Sequence, residues 1–326
     1  MTETSRILPS LARTILPAIL LLSLAAARGS AQADTGGSRP QEPRRGQYSI
    51  KPFRVIGNVY SVGLSNNTSY LITTPQGHFL IDPTLEQAVP DIRKNIEQLG
   101  FNVKDIKIIL PTHAHSDHVG GLAEFKELTG AKVMIMAADA ETVADGGKGE
   151  TRDGKPQWKP VAVDHPLHDG EKVDLGGVTM VAHLTAGHTK GCTSWSTVAE
   201  ENGRKYNVVF VCSIRMTGVP LIGNTKYPNV ADDHANGLKT LKSLPVDVWL
   251  VSHSYMFGMD EKIKRMGSGP NPFIDPDGYR AYLAENEKAL QDQLQQERAG
   301  GPPFAGRIPP PGVCPEDGRT CYGAGR

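Results

Sequence analysis

The sequence predicts an α/β fold, because segments with the spacing of strands alternate with segments that have the spacing of helices. Between residues 53 and 81, three short runs are rich in apolar side chains and are separated by turn residues, which is typical of strands. Residues 85–99 instead place Ile92 and Ile96 on one helical face. A third observation is the apolar run 106–110, which is typical of a buried strand.

The remaining elements follow from the same two periodicities. The predicted strands are 132–136, two or three strands within 173–197, then 206–212 and 246–251. The predicted helices are 119–128, 138–144, 231–244 and 276–298. Residues 146–160, which are rich in Gly, Lys and Asp, are predicted to form an exposed loop.

Charge and length limit the classes of function. The 326 residues include 35 Lys and Arg against 35 Asp and Glu, so the formal net charge is zero. A balanced charge gives no electrostatic reason to expect a nucleic-acid partner or an anionic membrane surface. The chain is long enough to bury a large hydrophobic core, so an ordinary globular protein is expected.

The first 33 residues have the pattern of a secretory signal peptide. Arg6 and Arg13 precede an apolar stretch at 15–27, and the small residues at 31–33 offer a cleavage site. An uncleaved anchor is the alternative, but the apolar stretch is shorter than the roughly 20 residues that a spanning helix needs. We therefore expect a periplasmic or secreted protein without a stable membrane anchor.

The rest of the chain divides into three parts. Residues 34–47 are polar with Gly, Pro and Arg, which predicts a flexible linker. Residues 48–298 contain the predicted strands and helices and form the expected domain. Residues 299–326 are rich in Gly and Pro and are expected to form a tail without a core of its own.

Four cysteines leave the disulfide pairing open. In an oxidising compartment, Cys314 and Cys321 are candidates for a small disulfide loop in the tail. Cys192 and Cys212 lie near candidate site residues and are candidates for buried thiols instead. Spacing alone does not decide between these pairings.

The chemistry is concentrated directly after the run 106–110, where Pro111 ends the predicted strand. On extended backbone, residues two apart point the same way, so His113 and His115 can reach one metal ion together. Asp117 and His118 follow where the chain turns into a helix and are better placed for a second ion. An aspartate in that place is often a helix N-cap, but four ligand-type residues at this density favour a metal site.

The pattern H-x-H-x-D-H resembles the metal-binding motif of the metallo-β-lactamase superfamily. That resemblance covers residues 48–296 and implies a four-layered αββα sandwich built from two similar halves. It also requires two further histidines, for which His188, between Gly187 and Gly191, and His253 are the candidates. In that family the region of residues 146–160 borders the active-site mouth, so a substrate-facing role is the alternative to a plain surface loop.

The resemblance further implies two metal ions per chain, for which nitrogen and oxygen donors suit Zn²⁺, with iron or manganese as alternatives. His113, His115 and His188 would hold the first ion, and Asp117, His118 and His253 the second. With three protein ligands each, both ions keep an open position, as catalytic zinc sites do. A hydroxide that bridges the ions would be the nucleophile, and Asp117 would have a catalytic role in orienting it.

The segment after the predicted strand 206–212 distinguishes branches of the family. Thioesterases, lactonases and many nucleases of the superfamily carry a bridging Asp there, and one lactamase branch carries a Cys. Here Ser213 is expected to face the metals and Cys212 to face away, because neighbours on a strand point in opposite directions. This pattern resembles the third, dizinc subclass of metallo-β-lactamases.

Two departures from that subclass are visible. Its C-terminal disulfide would need cysteines near Val246 and Ile274, and neither position has one. Arg215 stands where a small hydroxyl residue commonly helps to hold the substrate carboxylate. We therefore expect Ser213 and Arg215 to bind substrate, with an effect of Arg215 on substrate range.

The expected function is zinc-dependent hydrolysis of the β-lactam amide bond, which gives β-lactam antibiotic resistance, by a monomer that acts on a small-molecule β-lactam. The first alternative is another hydrolase of the same fold, which acts on a thioester, lactone or phosphodiester. The second is an exported metal-binding protein without catalysis. The missing bridging Asp argues against the first alternative, and the open coordination positions argue against the second.

Overall fold

A computed structural model describes residues 48–150, 153–215 and 218–303. The predicted signal peptide, the predicted linker and tail residues 304–326, with Cys314 and Cys321, lie outside the described residues. Within the described part, no helix is both long and apolar enough to cross a membrane.

The first sheet has seven strands in the spatial order of the sequence. Its strands are β1 Phe53–Ile56, β2 Val59–Ser61, β3 Tyr70–Thr74, β4 Gly77–Ile81, β5 Ile106–Leu110, β6 Lys132–Met136 and β7 His165–Leu167. The pairs from β1 to β4 are antiparallel, and those from β4 to β7 are parallel. The carboxyl ends of β4, β5 and β6 therefore meet at one edge of the sheet.

The second sheet has five strands in the order β12-β11-β10-β9-β8. Its strands are β8 Lys172–Leu175, β9 Val178–Leu184, β10 Thr193–Glu201, β11 Arg204–Val211 and β12 Val248–Val251. All pairs are antiparallel except β11 with β12, which are parallel.

Among the described residues, seven α-helices pack on the outer faces of the sheets or lie at the ends of strands. They are α1 Val89–Gln98, α2 Ser116–Val119, α3 Leu122–Thr129, α4 Ala137–Asp145, α5 Val230–Ser243, α6 Met259–Arg265 and α7 Pro276–Arg298. The predicted helix 119–128 is divided at Gly120 and Gly121 into α2 and α3. Strand β7 and helix α6 were not predicted.

The two buried clusters show why the layers stack. Along β4, Phe79 belongs to the cluster that includes Trp195 of the second sheet. Its neighbour Leu80 belongs to the other cluster, with Ile92 of α1 and Phe125 of α3. Successive side chains of a strand point to opposite faces, so the first sheet is covered by helices on one side and by the second sheet on the other. The expected four-layered αββα sandwich is confirmed.

An ion pair fixes the start of α7, close to where the resembling subclass carries its C-terminal disulfide. Lys262 is only 4% exposed, and its Nζ lies 2.6 Å from Asp275 Oδ2 and 5.2 Å from the Trp249 ring centroid. Asp275 also caps α7 by accepting from the backbone N–H of Gly278 at 2.9 Å. One carboxylate thus serves both a buried ammonium and a helix terminus.

We predict that Asp275→Ala lowers the free energy of unfolding by about 3 kcal/mol or more, because it leaves a buried ammonium without its partner and removes a helix cap. Asp275→Asn, which can still cap the helix, should lose less. Urea denaturation measures both. Lys264→Ala, which removes an exposed ion pair with Glu261, is the control and should change little. Equal stability of Asp275→Ala and wild type would contradict the role of the pair.

Candidate metal centre

All six predicted ligands lie at the edge where strands of both sheets end. His113 and His115 follow β5, while Asp117 and His118 lie in α2. His188 lies in the turn between β9 and β10. His253 follows Ser252 at the end of β12. The two sheets therefore both contribute to one site, as expected for a fold built from two similar halves.

The six side chains form two groups of three. His113, His115 and His188 bring one ligand atom each to within 4.8 Å of the others, and so do Asp117, His118 and His253. In the first group, His188 Nε2 lies 3.1 Å from His115 Nδ1. In the second, Asp117 Oδ2 lies 3.5 Å from His118 Nε2 and 3.7 Å from His253 Nε2. These are the groups that the resemblance implies, and metal binding by them stays a prediction.

The donor atoms fit a metal ion. His113 Nε2 and His118 Nε2 are buried and have no hydrogen-bond partner among the described residues. A buried polar atom without a partner destabilises a fold unless something satisfies it. Nitrogen and carboxylate oxygen donors in groups of three suit Zn²⁺, so a bound cation would satisfy these atoms.

In three of the histidines, Nδ1 makes a hydrogen bond that fixes the orientation of the ring and so the direction of Nε2. His188 Nδ1 donates to the backbone carbonyl of Arg215 at 2.9 Å, and His118 Nδ1 donates to Asp82 Oδ2 at 3.0 Å. His113 Nδ1 lies 3.0 Å from Thr112 Oγ1. With the proton on Nδ1, each ring turns the lone pair of Nε2 toward the site.

Asp82 connects two of these rings to the end of β5. It bonds directly to His118, and it reaches His113 through Thr112. It is 1% exposed, and it accepts from the Thr112 backbone N–H at 2.6 Å and from Thr112 Oγ1 at 2.8 Å. Its backbone has a φ of +48°, a conformation that aspartate tolerates better than most residues. Sequence reasoning missed this residue, although an aspartate directly after the buried strand β4 was a usable signal.

Asp139 of α4 hydrogen-bonds to both segments that carry the histidines of the first group. It is 3% exposed and accepts from the Ala114 N–H at 3.0 Å, from Thr189 Oγ1 at 2.7 Å and from the Gly191 N–H at 2.7 Å. A Cβ at Gly191 would lie 2.6 Å from Asp139 Cγ, so only glycine fits there. The carboxylate therefore fixes the loop of His113 and the turn of His188 relative to each other.

The protonation states of three of the histidines also suit a cation. Burial lowers the pKa of His115 to about 4 and that of His188 and His253 to about 3, so these rings are neutral at pH 7. Neutral imidazole is the form that binds metal. Burial alone would raise the pKa of Asp117, but the positive charges that His118 and His253 carry when protonated outweigh it and lower that pKa to about 2.

The cysteines behave differently from the sequence prediction. Cys192 and Cys212 form a disulfide with a Cα–Cα distance of 5.9 Å, so the buried-thiol interpretation is wrong for both. Cys212 Sγ lies 3.6 Å from His113 Nδ1, on the side of the ring opposite Nε2. Strand alternation does not apply here, because β11 ends at Val211. The disulfide, rather than strand direction, removes Cys212 from the set of free donors.

Arg215 lies beside the site but largely out of solvent. It is 7% exposed, and its guanidinium carbon lies 5.7 Å from the ring centroid of Tyr255. Its backbone carbonyl is the acceptor that orients His188. Ser213 is 2% exposed. Substrate binding by Ser213 and Arg215 stays a prediction.

The predicted loop and the remaining histidines can also be located in the structure. In the predicted exposed loop 146–160, residues 153–157 are exposed, whereas Trp158 is only 5% exposed and packs its ring on Gly147. The remaining histidines lie outside both groups: His78, His165, His168, His183 and His234.

Comparisons with known proteins identify the family to which the chain belongs. The family model of the metallo-beta-lactamase superfamily matches residues 62–200. The native FEZ-1 metallo-beta-lactamase of Legionella gormanii is 39% identical, with a TM-score of 0.76, over 78% of this chain and 99% of that one. The class B3 di-zinc metallo-beta-lactamase LRA-12 from an Alaskan soil metagenome is 33% identical, with a TM-score of 0.71, over 79% of this chain and 100% of that one.

One curated relative is named as a hydrolase of another kind than the lactamases above. The hydroxyacylglutathione hydrolase of Pseudomonas aeruginosa is 37% identical over 92 residues, which is 28% of this chain and 28% of that protein. The match thus spans less than a third of that relative's length. The chain belongs to the metallo-β-lactamase superfamily. Among solved structures it resembles subclass B3 lactamases.

We predict that the metal-free protein is less stable at pH 5 than at pH 7.5. Folding holds the pKa of His115, His188 and His253 at about 4, 3 and 3, against 6.5 for ordinary histidine. As pH falls below about 6.5, the unfolded chain therefore binds protons that the folded chain does not, and stability is lost. The raised pKa of His118 has the opposite effect on the stability of the fold, but it is one group against three.

Urea midpoints of chelator-treated protein at the two pH values test this prediction. His115→Gln should reduce the difference between the midpoints, whereas His168→Gln, at an exposed position, should leave it unchanged. Identical midpoints at pH 5 and pH 7.5 would contradict the assignment of neutral buried histidines.

Proposed function

We propose that this protein hydrolyses the amide bond of β-lactams with two bound zinc ions, and so confers β-lactam resistance. The observation that carries the proposal is the composition of the two ligand groups. Among the described residues, Asp117 is the only carboxylate in either group. The thioesterases, lactonases and many nucleases of the superfamily carry a second, bridging carboxylate after the strand that corresponds to β11, where this chain has Cys212 in a disulfide and Ser213.

The extent of the similarity to known proteins also supports β-lactam hydrolysis. Similarity to the lactamase FEZ-1 extends over 99% of that chain, whereas similarity to the P. aeruginosa hydroxyacylglutathione hydrolase covers 28% of that protein. That local match still favours thioester hydrolysis as the second candidate. A thioester is therefore the competing substrate in the test below.

Zinc bound in these groups would lower the pKa of a coordinated water and polarise the carbonyl under attack. The residues of the chain supply the rest. Asp82, Thr112 and the carbonyl of Arg215 keep the proton on Nδ1 of three histidines, so the lone pairs of their Nε2 atoms point toward the site. Asp117 is ionised and can accept a hydrogen bond from the attacking water, which orients that water toward the substrate.

The substrate carboxylate is the second recognition element. Arg215 provides the cation for it in this proposal, because a guanidinium matches a carboxylate in shape and charge. Its position supports this role, since its backbone contacts His188 and its side chain lies beside Tyr255. Ser213, two residues earlier, is the proposed hydroxyl donor to the same carboxylate.

A periplasmic or secreted location is part of the proposal. The N-terminal pattern of charged, apolar and small residues supports export, and the Cys192–Cys212 disulfide supports an oxidising compartment. Fractionation of cells that express the full chain tests this. Full-length protein that stays in the cytoplasmic fraction would contradict it.

Activity of purified, zinc-loaded protein on a chromogenic cephalosporin and on a hydroxyacylglutathione thioester tests the function. We expect cephalosporin turnover that a chelator abolishes and zinc restores, with little thioester turnover. Asp117→Asn should lose at least 100-fold in kcat, because general-base and orienting groups typically contribute that much. Asp260→Asn, on the exposed surface of α6, is the matched control.

Other outcomes separate the alternatives. Turnover of the thioester alone would favour the second candidate, and metal binding without turnover of either substrate would favour a non-catalytic protein. Full activity of metal-free protein would contradict every version of the proposal.

For Arg215→Ala we predict a higher KM with nearly constant kcat, because the carboxylate contact is made equally in ground and transition states. The loss in kcat/KM should correspond to about 1–3 kcal/mol for a partly desolvated charged hydrogen bond. The measurement compares substrates with a free and with an esterified carboxylate. An equal loss on both substrates would mean that Arg215 does not recognise the carboxylate.

A further inference from the structure

Asn67, in the loop between β2 and β3, touches the second ligand group. Its side chain is buried, with 1% exposure. Its Nδ2 donates to Asp117 Oδ2 at 3.0 Å and lies 3.3 Å from the backbone carbonyl of Asp117. One amide group therefore holds both the carboxylate and the backbone of a predicted ligand.

The oxygen that Asn67 holds is the one that faces the other two ligands. Asp117 Oδ2 lies 3.5 Å from His118 Nε2 and 3.7 Å from His253 Nε2. A carboxylate oxygen has two lone pairs, so Oδ2 can accept from Asn67 and still bind a cation with its other lone pair. The hydrogen bond therefore selects which oxygen is offered to the second group.

The loop that carries Asn67 is fixed to the second sheet. Asn67 pairs with His253 in an isolated antiparallel bridge. On either side of this bridge, the Thr68 N–H donates to the Ser252 carbonyl at 3.0 Å, and the Ser254 N–H donates to the Asn66 carbonyl at 2.9 Å. The backbone of Asn67 is thus bound next to one ligand while its side chain holds another.

We propose that Asn67 is a positioning residue for the second metal ion, and that it determines how tightly the group of Asp117, His118 and His253 binds a divalent cation. The inference rests on the metal centre of the proposed function and not on the choice of substrate. The first group is held by other residues, since Asp139 and Thr112 make the contacts around His113 and His188. Loss of Asn67 therefore affects one ion and not the other.

Stepwise metal titration tests this proposal without an activity assay. Metal-free wild type, Asn67→Ala and Asn67→Leu are titrated with Zn²⁺ in competition with a chromophoric chelator, and both dissociation constants are fitted. We expect the affinity of the site that Asp117→Ala weakens to fall about 10- to 100-fold, as is typical when an outer partner of a metal ligand is removed. The affinity of the other site should stay within about threefold of wild type, given that its ligands keep their partners.

Two controls separate positioning from general loop damage. Thr68→Val removes the hydrogen bond from Thr68 Oγ1 to the Val251 carbonyl but leaves the Asn67 amide in place, so its second affinity should match wild type. Asp117→Ala removes the ligand itself and marks the largest effect that Asn67 variants can have. Circular dichroism confirms folding of each variant, and the alanine variant decides if the leucine variant does not fold.

The outcomes are distinguishable. An unchanged second affinity in Asn67→Ala, an equal loss at both sites, or an equal loss in Thr68→Val would overturn the role of Asn67. Wild-type protein that binds a single ion would contradict the two-ion centre itself, and with it the proposed function.

Discussion

Burial of imidazole nitrogens at the shared edge of the two sheets is the constraint on which the rest of this structure depends. His113 Nε2 and His118 Nε2 are removed from water and have no partner among the described residues, which destabilises a fold by about 1–3 kcal/mol per group. Each ring is satisfied on its opposite nitrogen instead, so the unsatisfied atoms converge. A cation that binds there would satisfy them, and its affinity would add to the stability of the fold.

The predicted ligands come from both sheets, so their geometry depends on contacts between distant segments. Asp82 joins the ends of β4 and β5 to His118, and Asp139 joins the loop after β5 to the turn after β9. Asn67 completes the set by linking Asp117 to the end of β12. Each group of ligands is thereby fixed before any ion binds, which reduces the reorganisation that metal binding and catalysis require.

Periodicity in the sequence predicted most of the strands and helices, while the four layers and the two groups of three side chains were expectations from the family resemblance. The structure has the layers and brings the six side chains together in those two groups. Strand β7 has three residues and α6 has seven, which is too short for a periodicity to show, and both were missed. Asp82, Asp139 and Asn67 act through contacts between residues far apart in the chain, which spacing does not reveal. The prediction for Cys212 relied on a strand that ends one residue earlier, at Val211.

Anomalous diffraction at the zinc edge, from crystals of zinc-loaded protein, tests the central claim most directly. We predict two peaks, each about 2.0–2.2 Å from its three donor atoms. One peak should contact His113 Nε2, His115 Nδ1 and His188 Nε2, and the other should contact Asp117 Oδ2, His118 Nε2 and His253 Nε2. A single peak, or a peak bound by Cys212 or by a histidine outside these groups, would contradict the account.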